Sequence, residues 1–303
     1  MKSAIKYSVF IKALLISVMF VSFTGCKKEG CTDEKASNYN KKAKKDDGSC
    51  IYPSETEGLQ LIKSMNNGTH TVEFYTSNGK FQTGYNQVYF TIKNPNGSYV
   101  DNATATWSTW MEMTSMAHGS PVSGIEKKPN STTVYTGNII FQMAGNSSEF
   151  WTLTLNYVVN GTNFSVSDKI EVVENTKRKH VSFKGSDNNK YIIALIEPSV
   201  PKVGVNNIKA ALFKMESQSS FVPVSNYKIL IDPRMPGMNN HSSPNNVNLT
   251  QLNAEFYQGQ LNLTMTGYWK INLILEDSNG NILKGEAISV NVGDSSIYFE
   301  IEF

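Results

Sequence analysis

The amino-acid sequence predicts an all-β protein built from two tandem antiparallel β-sandwiches. Short segments of alternating apolar and polar residues recur along the chain, and they are rich in β-branched and aromatic side chains. Asn-Gly pairs, which favour tight hairpin turns, occur between several of these segments. One motif occurs twice, at residues 135–145 and again at residues 257–267. Together these features indicate two copies of one strand-rich domain.

The clearest strands are four segments with the period of two that a half-buried strand requires. They lie at residues 72–75, 87–92, 151–157 and 270–275. The Asn-Gly pairs occupy residues 78–79, 96–97, 160–161 and 279–280. Because we find no segment with a long helical period, antiparallel sandwiches are the architecture expected at this strand spacing.

Each copy of the repeated motif begins with Tyr-x-Gly, continues as an alternating run and ends in Met-x-Gly. A tryptophan follows each copy, Trp151 in the first and Trp269 in the second. The copies are 122 residues apart, close to the size of one immunoglobulin-like (Ig-like) sandwich of about 100 residues. We therefore place the first sandwich at residues 58–176 and the second at residues 180–303, with a charged run near their junction.

The first 25 residues have the pattern of an export signal. Three lysines precede an uncharged, mostly apolar run at residues 13–23, which is too short to span a hydrocarbon core of about 30 Å. The sequence Phe23-Thr24-Gly25-Cys26 that follows resembles a lipoprotein signal box, with Phe23 where leucine is usual. The resemblance implies cleavage before Cys26 and a lipid on its side chain, and the alternative is an ordinary secretory peptide.

Cleavage at this point leaves a mature chain of 278 residues with 25 basic and 26 acidic side chains. This near-neutral balance argues against nucleic acid as a partner. A lipid on Cys26 would attach the protein to a membrane in place of a spanning helix, so we expect a lipid-anchored protein of the cell envelope, at the outer membrane. Residues 27–29 only partly resemble the charged signal for surface display in Bacteroidetes. The sequence is therefore compatible with either the periplasmic or the external face of the outer membrane.

The remaining cysteines, Cys31 and Cys50, enclose a short polar segment within the anchor region 26–57. In an oxidising envelope they are expected to form a disulfide. Residues 30–52 resemble a short G-C-T-D…D-D-G-S-C module of secreted Bacteroidetes proteins. Its acidic residues offer hard oxygen ligands for Ca²⁺, or they simply form polar turns in the disulfide loop; they are Asp33, Asp46 and Asp47.

Each predicted sandwich carries a polar loop with closely spaced methionines and a histidine. The first loop contains Met113, Met116 and His118, and the second contains Met235, Met238 and His241. Thioether sulfur is soft and prefers Cu(I), and imidazole suits either oxidation state of copper. Loop side chains can turn outward to a ligand. The loops are therefore predicted copper sites. The alternative is that the two loops resemble each other only because both repeats kept the loop structure of a common ancestor.

Met143 and Met265 are candidate fourth ligands, because each ends a strand just before a glycine. Methionine is also a common filler of apolar cores. Met143 shares a strand face with Ile139 and Phe141, and Met265 shares one with Leu261 and Leu263, so core packing is the favoured interpretation of both. His70 and His180 have no neighbouring methionines in the sequence and are expected to be ordinary histidines.

The order of a Met-rich loop, Tyr-x-Gly, a strand ending in Met-x-Gly, and a Trp resembles the FixH/YtkA-like domain family. The resemblance covers residues 107–157 and 229–275. It implies extracytoplasmic β-sandwiches, with some members linked to copper handling. It also implicates the two methionine–histidine loops with Met143 and Met265. In this alignment Met113 corresponds to Met235, and Met111 has no counterpart.

We find no nucleophile elbow, phosphate-binding loop or zinc-spaced His/Cys set in the sequence, so we expect no enzyme. The first hypothesis is a copper-binding lipoprotein that holds copper or delivers it to another envelope protein. The second is an envelope scaffold whose loops contact a protein or a glycan. Exposed Trp107 and Trp110, just before the first loop, would favour the scaffold.

Overall fold

The computed structural model of the protein describes residues 28–52, 54–289 and 292–303. The chain divides into two compact units, one ending at Glu57 and the other spanning Gly58–Phe303. The predicted signal peptide and the predicted lipid site at Cys26 lie outside the described residues. Across the described part of the chain, no helix is long and apolar enough to cross a membrane.

The N-terminal unit contains the predicted disulfide between Cys31 and Cys50, whose Cα atoms are 4.7 Å apart. The backbone N–H of Ser37 donates to the carbonyl of Ile51 at 2.8 Å, and that of Asn40 donates to the carbonyl of Cys31 at 2.9 Å. Cys31 is buried, so the bridge forms the centre of this small unit. The disulfide prediction is confirmed.

The three carboxylates proposed for Ca²⁺ take part in local turns of this unit. Asp33 accepts hydrogen bonds from the backbone N–H of Lys35 and from the hydroxyl of Tyr52, and these bonds lower its pKa. The other two accept from backbone N–H groups two residues further on: Asp46 from Gly48 and Asp47 from Ser49. The arrangement matches the polar-turn alternative, and calcium binding stays a prediction.

The second unit begins with a sandwich of eleven strands. In chain order they are β1 Gln60–Asn66, β2 Thr71–Thr76, β3 Phe81–Gln82, β4 Gly84–Lys93, β5 Thr104–Glu112, β6 Ala117–His118, β7 Glu126–Lys127, β8 Val134–Phe141, β9 Phe150–Val159, β10 Thr162–Ile170 and β11 Val172–Val173. One antiparallel sheet has the order β1-β2-β4-β8-β7, and the other has the order β10-β9-β5-β6. Strands β3 and β11 form a short parallel pair.

The alternating pattern of the strands creates the core between these two sheets. Along β9, Trp151, Leu153 and Leu155 point inward and are fully buried. They meet Phe90 and Phe141 of the opposite sheet in one apolar cluster. Full burial of such side chains contributes about 1.5–3 kcal/mol each, so this face sets the register of β9.

The second sandwich follows within the same unit. Its strands are β12 His180–Lys184, β13 Lys190–Glu197, β14 Gly204–Met215, β15 Phe221–Pro223, β16 Lys228–Met235, β17 His241–Ser242, β18 Val247–Gln251, β19 Phe256–Leu263, β20 Tyr268–Glu276, β21 Ile282–Lys284 and β22 Tyr298–Glu302. A single 3-10 turn, Pro236–Met238, follows β16. The strand order of the sheet is β12-β13-β14-β19-β18-β16-β20-β21. In addition, β15 pairs with β14, β17 pairs with β16, and β22 pairs with β20. Strand β18 joins the two layers, and they enclose one apolar cluster.

The repeated Tyr-x-Gly motif has the same structural role in both sandwiches. The hydroxyl of Tyr135 accepts from the backbone N–H of Ala103 at 2.9 Å, and that of Tyr257 donates to the carbonyl of Val224 at 2.8 Å. Each tyrosine thus fixes the loop before β5 or β16. A Cβ at the following glycine, Gly137, would lie 2.6 Å from Trp107 Cζ2, so the motif needs a residue without a side chain there.

A buried asparagine provides a second match between the repeats. Asn86 Nδ2 donates to the carbonyls of Gln82 at 2.7 Å and Gly84 at 2.9 Å. Asn206 Nδ2 makes the same pair of bonds to Lys202 at 2.8 Å and Gly204 at 2.9 Å. Because the tyrosine and asparagine bonds both recur, the sequence repeat corresponds to a structural one.

The two sandwiches contact each other through an apolar cluster. Ile140 of the first sandwich packs with Ile192 and Phe213 of the second. Beside it, His180 Nε2 donates to the carbonyl of Gln142 at 2.9 Å. The strands of the two sandwiches lie inside the segments predicted for them, and both segments belong to the unit Gly58–Phe303.

Candidate metal sites

The first site is a corner formed by three neighbouring strands. In the antiparallel pairings of β5, Met111 lies opposite His118 of β6 on one side and opposite Trp151 of β9 on the other. Partners across a strand pair share a face of the sheet, so the three side chains point the same way. Met111 is fully buried, and the rings of His118 and Trp151 meet edge to face with centroids 5.4 Å apart. We call this set the first corner.

The hydrogen bond of His118 fixes which ring nitrogen is free. Its Nδ1 lies 2.7 Å from the carbonyl oxygen of Gly119. A carbonyl can only accept, so Nδ1 carries the hydrogen in the neutral ring and Nε2 keeps a lone pair. Histidines that bind metals commonly use one nitrogen in this way while the other donates to a carbonyl or carboxylate. His118 is thus oriented as a ligand through Nε2.

The second sandwich contains the same corner. Met235 of β16 pairs with His241 of β17. Arg234 pairs with Lys270, and the same register places Met235 beside Trp269 in β20. The rings of His241 and Trp269 have centroids 6.4 Å apart. We call Met235, His241 and Trp269 the second corner.

Gly267 leaves room for the buried methionine of the second corner. A Cβ at this glycine would lie 3.0 Å from the methyl carbon of Met235, and its φ of +123° already disfavours other residues. Met235 is only 5% exposed, whereas His241 lies at the surface. The second glycine of the repeated motif therefore helps to seat the methionine.

The two tryptophans are held by equivalent hydrogen bonds. Trp151 Nε1 donates to the carbonyl of Met143 at 3.0 Å, and Trp269 Nε1 donates to the carbonyl of Met265 at 3.0 Å. The side chains of Met143 and Met265 are partly buried and pack against the core of their own sandwich. This packing supports the core interpretation for both residues, and their role as ligands stays a prediction.

The strand pairing corrects the sequence alignment of the loops. Met111, and not Met113, is the counterpart of Met235, because each lies opposite the corner histidine. The hairpin has six residues between Met111 and His118 but five between Met235 and His241. An alignment matched on the loop methionines pairs Met235 with Met113 instead, two residues after Met111. Met113 instead lies in the hairpin loop, where its N–H donates to the carbonyl of Met116.

Two methionines of the loops reach solvent. Met116 lies in the first hairpin and Met238 in the 3-10 turn of the second, and each is 51% exposed. They follow the buried corner methionine in both sandwiches and precede the histidine. Each corner thus combines a buried thioether, an exposed thioether and an imidazole close together in the chain.

The two tryptophans whose exposure would favour the scaffold hypothesis differ in position. Trp110 is 37% exposed, but Trp107 is buried, and its Nε1 donates to the carbonyl of Ser123 at 2.9 Å. The support that exposed tryptophans would give to the scaffold hypothesis therefore comes from Trp110 and not from Trp107. Residues three apart in a strand lie on opposite faces, so Trp107 and Trp110 could not both point to solvent.

The other histidines take part in packing, as expected. His70 is buried beside Tyr157, with 3.2 Å between its Nδ1 and the hydroxyl oxygen. Burial lowers the pKa of His180, which bonds to Gln142. Within the described residues, no three His, Cys, Asp or Glu side chains are grouped to hold a metal ion.

Fold and corners together define a tandem β-sandwich protein with a methionine–histidine–tryptophan corner in each half. A family model described as YtkA-like matches residues 186–273, which include Met235, Met238, His241 and Met265. The YtkA-like prediction is thereby confirmed for this part of the second sandwich, and it stays a prediction for the first. No curated protein matches the chain.

Three solved structures show low similarity to this chain. The FdeC adhesin of Escherichia coli is 12% identical, with 82% of this chain and 83% of that chain covered and a TM-score of 0.24. A DUF4785 family protein from Legionella pneumophila is 10% identical, with 71% and 55% covered and a TM-score of 0.24. A chimeric titin Z1Z2 tandem is 10% identical, with 73% and 93% covered and a TM-score of 0.18. TM-scores this low do not indicate a shared arrangement of the whole chain.

Proposed function

We propose that the protein is a non-enzymatic lipoprotein of the cell envelope that binds Cu(I) at its two corners and holds or delivers it. One observation carries the proposal: a buried methionine lies opposite a histidine beside a buried tryptophan at equivalent places in both sandwiches. Core packing requires only that the residue at the methionine position be apolar. It does not explain why a histidine lies opposite that residue in both sandwiches. The YtkA-like match at residues 186–273 is consistent with this role.

The chemistry of the corners favours the monovalent ion. Thioether sulfur is soft and neutral, and it selects Cu(I) over the harder Cu(II). Side chains directly opposite each other in an antiparallel pair have Cβ atoms about 4.5–5.5 Å apart, so Met111 and His118 can reach one ion together. The free Nε2 of His118 is the nitrogen ligand. Cys31 and Cys50 are joined to each other and are not available.

The envelope location supports the same proposal. Lipidation at Cys26, after cleavage of residues 1–25, would anchor the protein to the membrane. The confirmed disulfide is typical of an oxidising compartment, where methionine is a durable ligand because free thiols oxidise. The proposed partner is an envelope protein that accepts copper from the exposed methionines.

A copper titration of the mature protein tests the proposal. Competition with a chromophoric Cu(I) chelator is expected to give two bound ions per chain. The double variant Met116→Ala/His118→Ala should retain one ion, and Met238→Ala/His241→Ala should also retain one. Met65→Leu, which removes a thioether from β1, serves as the control and should retain two. Two ions in both double variants would refute the site assignment.

The scaffold hypothesis has one observation in its favour, the exposed Trp110 on the outer face of β5. Under that hypothesis the exposed loop residues contact a protein or a glycan rather than a metal. Trp110→Ala would then abolish binding of that protein or glycan. The number of copper ions bound per chain would be the same as in the parent protein. An absence of copper binding in the parent protein would leave the scaffold as the better hypothesis.

A further inference from the structure

We infer that Met215 of the second sandwich is a ligand of the first copper site, so that this copper lies between the two sandwiches. The inference rests on the proposed function of Met116 and His118. It adds a residue outside both loops and outside the sequence repeat. It also makes the two copper sites unequal.

A cleft between the sandwiches brings these side chains together. It has a volume of about 400 Å³, and Met116, His118 and Gln142 line it from the first sandwich. Met215, Tyr191 and Phe183 line it from the second. One opening thus receives two thioethers and one imidazole from two different domains.

The backbone holds the histidine loop against the strand that carries Met215. The N–H of Gly119 donates to the carbonyl of Gln218 at 2.7 Å, in the turn that follows β14. A Cβ at Gly119 would lie 3.1 Å from the carbonyl oxygen of Thr109 in β5, so the glycine allows the histidine hairpin to pack tightly within its own sandwich. Met215 pairs with Lys190 and Phe221 on either side and is therefore fixed in the sheet. The two walls of the cleft are held in position.

His118 presents its free nitrogen in this cleft. Its Nδ1 is bonded to the carbonyl of Gly119, which also accepts from Gln142 Nε2 at 3.4 Å. His118 lines the cleft and has Nε2 free. The sulfurs of Met116 and Met215 join the thioether of Met111, which lies opposite His118. With this nitrogen they form a neutral, soft, four-membered ligand set of the kind that suits Cu(I).

Two further features of the wall bear on which ion the cleft can hold. Gln142 Oε1 is buried and has no hydrogen-bond partner among the described residues, and a cation or a metal-bound water would satisfy it. Lys184 and Lys190 also line the cleft. Their positive charge opposes a divalent ion more strongly than a monovalent one, because Coulomb repulsion scales with the charge. The cleft is therefore selective for Cu(I) over Cu(II).

The second corner differs in its surroundings. Met238 and His241 both lie in the exposed hairpin after β16. We therefore assign tight retention of copper to the first site and exchange with a partner to the second. Copper in the first site would also tie the two sandwiches together.

X-ray absorption spectroscopy gives the direct test. In the mature protein with the second site disabled by Met238→Leu/His241→Ala, one equivalent of Cu(I) should show three sulfur neighbours, from Met111, Met116 and Met215, and one nitrogen neighbour. Adding Met215→Leu should remove one sulfur neighbour and weaken the chelator-measured affinity by at least tenfold. Leucine preserves the shape and apolar character of methionine. Met65→Leu in the same background should change neither value.

Stabilisation by copper provides the second readout. A ligand that binds only the folded state raises the unfolding temperature, so Cu(I) should stabilise the parent more than the Met215→Leu variant. If Met215→Leu leaves the sulfur count and the affinity unchanged while Met116→Ala/His118→Ala loses one ion, the inference is wrong and the proposed function stands. If the double variant also retains two ions, both are wrong.

Discussion

Met111 lies directly opposite His118 in the hairpin β5/β6, and its side chain is fully buried beneath the contact between His118 and Trp151. This pairing distinguishes the two methionines at the start of the first loop. Met111 belongs to the corner, whereas Met113 belongs to the hairpin loop. The distinction leads to the first prediction.

Met111→Leu is expected to weaken Cu(I) binding at the first corner by at least tenfold, or about 1.4 kcal/mol. Met113→Leu should leave that affinity within a factor of two or three. The physical reason is that Met111 lies directly opposite the histidine, whereas Met113 lies beyond the last paired residues of the hairpin. Chelator competition in a background with the second site disabled measures both variants. The reverse order of effects would restore the alignment of Met113 with Met235.

Trp269→Phe tests the role of the indole in the second corner. The substitution keeps an aromatic ring but removes the Nε1 donor, so the carbonyl of Met265 loses its partner. We expect a loss of about 1–3 kcal/mol in the free energy of unfolding, measured by urea denaturation.

Trp110→Phe is the matched control for this substitution. Trp110 is partly exposed on the outer face of β5, and substitutions at such positions usually change stability by less than about 0.5 kcal/mol. Equal stability losses for Trp110→Phe and Trp269→Phe would contradict the assigned role of the indole hydrogen bond.

The sequence was sufficient for much of the fold. Alternation predicted the strand at residues 151–157, and the structure has β9 from Phe150 to Val159. The spacing and compartment of Cys31 and Cys50 predicted their disulfide. These features are local, or they follow from a period that a single strand displays by itself.

The corner was harder to predict because it depends on pairing between strands. Loop methionines at similar spacing suggested that Met113 matches Met235, but the hairpins differ in length and the register places Met111 there. The cleft residue Met215 gave no signal at all, since its proximity to His118 arises from the packing of one sandwich on the other. Trp107 could have been placed correctly, because period two separates its face from that of Trp110.

Gly137→Ala should destabilise the first sandwich. The new Cβ would lie 2.6 Å from Trp107 Cζ2 and 2.8 Å from the carbonyl oxygen of Gly124, in a part of the core that is already filled. Overpacking of this kind typically costs about 1–3 kcal/mol. Urea denaturation monitored by circular dichroism measures the loss.

Gly124→Ala is the matched control in the same sandwich, because nothing lies within 4 Å of the position its Cβ would take. We expect the unfolding midpoint of this variant to stay close to that of the parent. If Gly137→Ala behaved like Gly124→Ala, the tight fit of the Tyr-x-Gly motif against Trp107 would be disproved.

The pH dependence of stability should report on His180 at the contact between the sandwiches. Burial lowers its pKa below the ordinary value of 6.5, while the bond to the carbonyl of Gln142 and the charge of Glu174 oppose that shift. Below pH 6.5 the unfolded chain therefore binds more protons at this residue than the folded chain does. By linkage, the contribution of His180 to stability is complete above pH 6.5 and declines as the pH falls from there toward the lower pKa of the folded state.

His180→Gln removes this titration while keeping a side-chain N–H that can donate to Gln142. Urea unfolding of parent and variant between pH 7.5 and pH 5 isolates the histidine, because the other titrating groups are common to both proteins. The difference in unfolding free energy should shift in favour of the variant as the pH falls through 6.5. A difference that stays constant over this range would mean that His180 keeps its ordinary pKa in the folded protein, and that the contact around Gln142 is open to water.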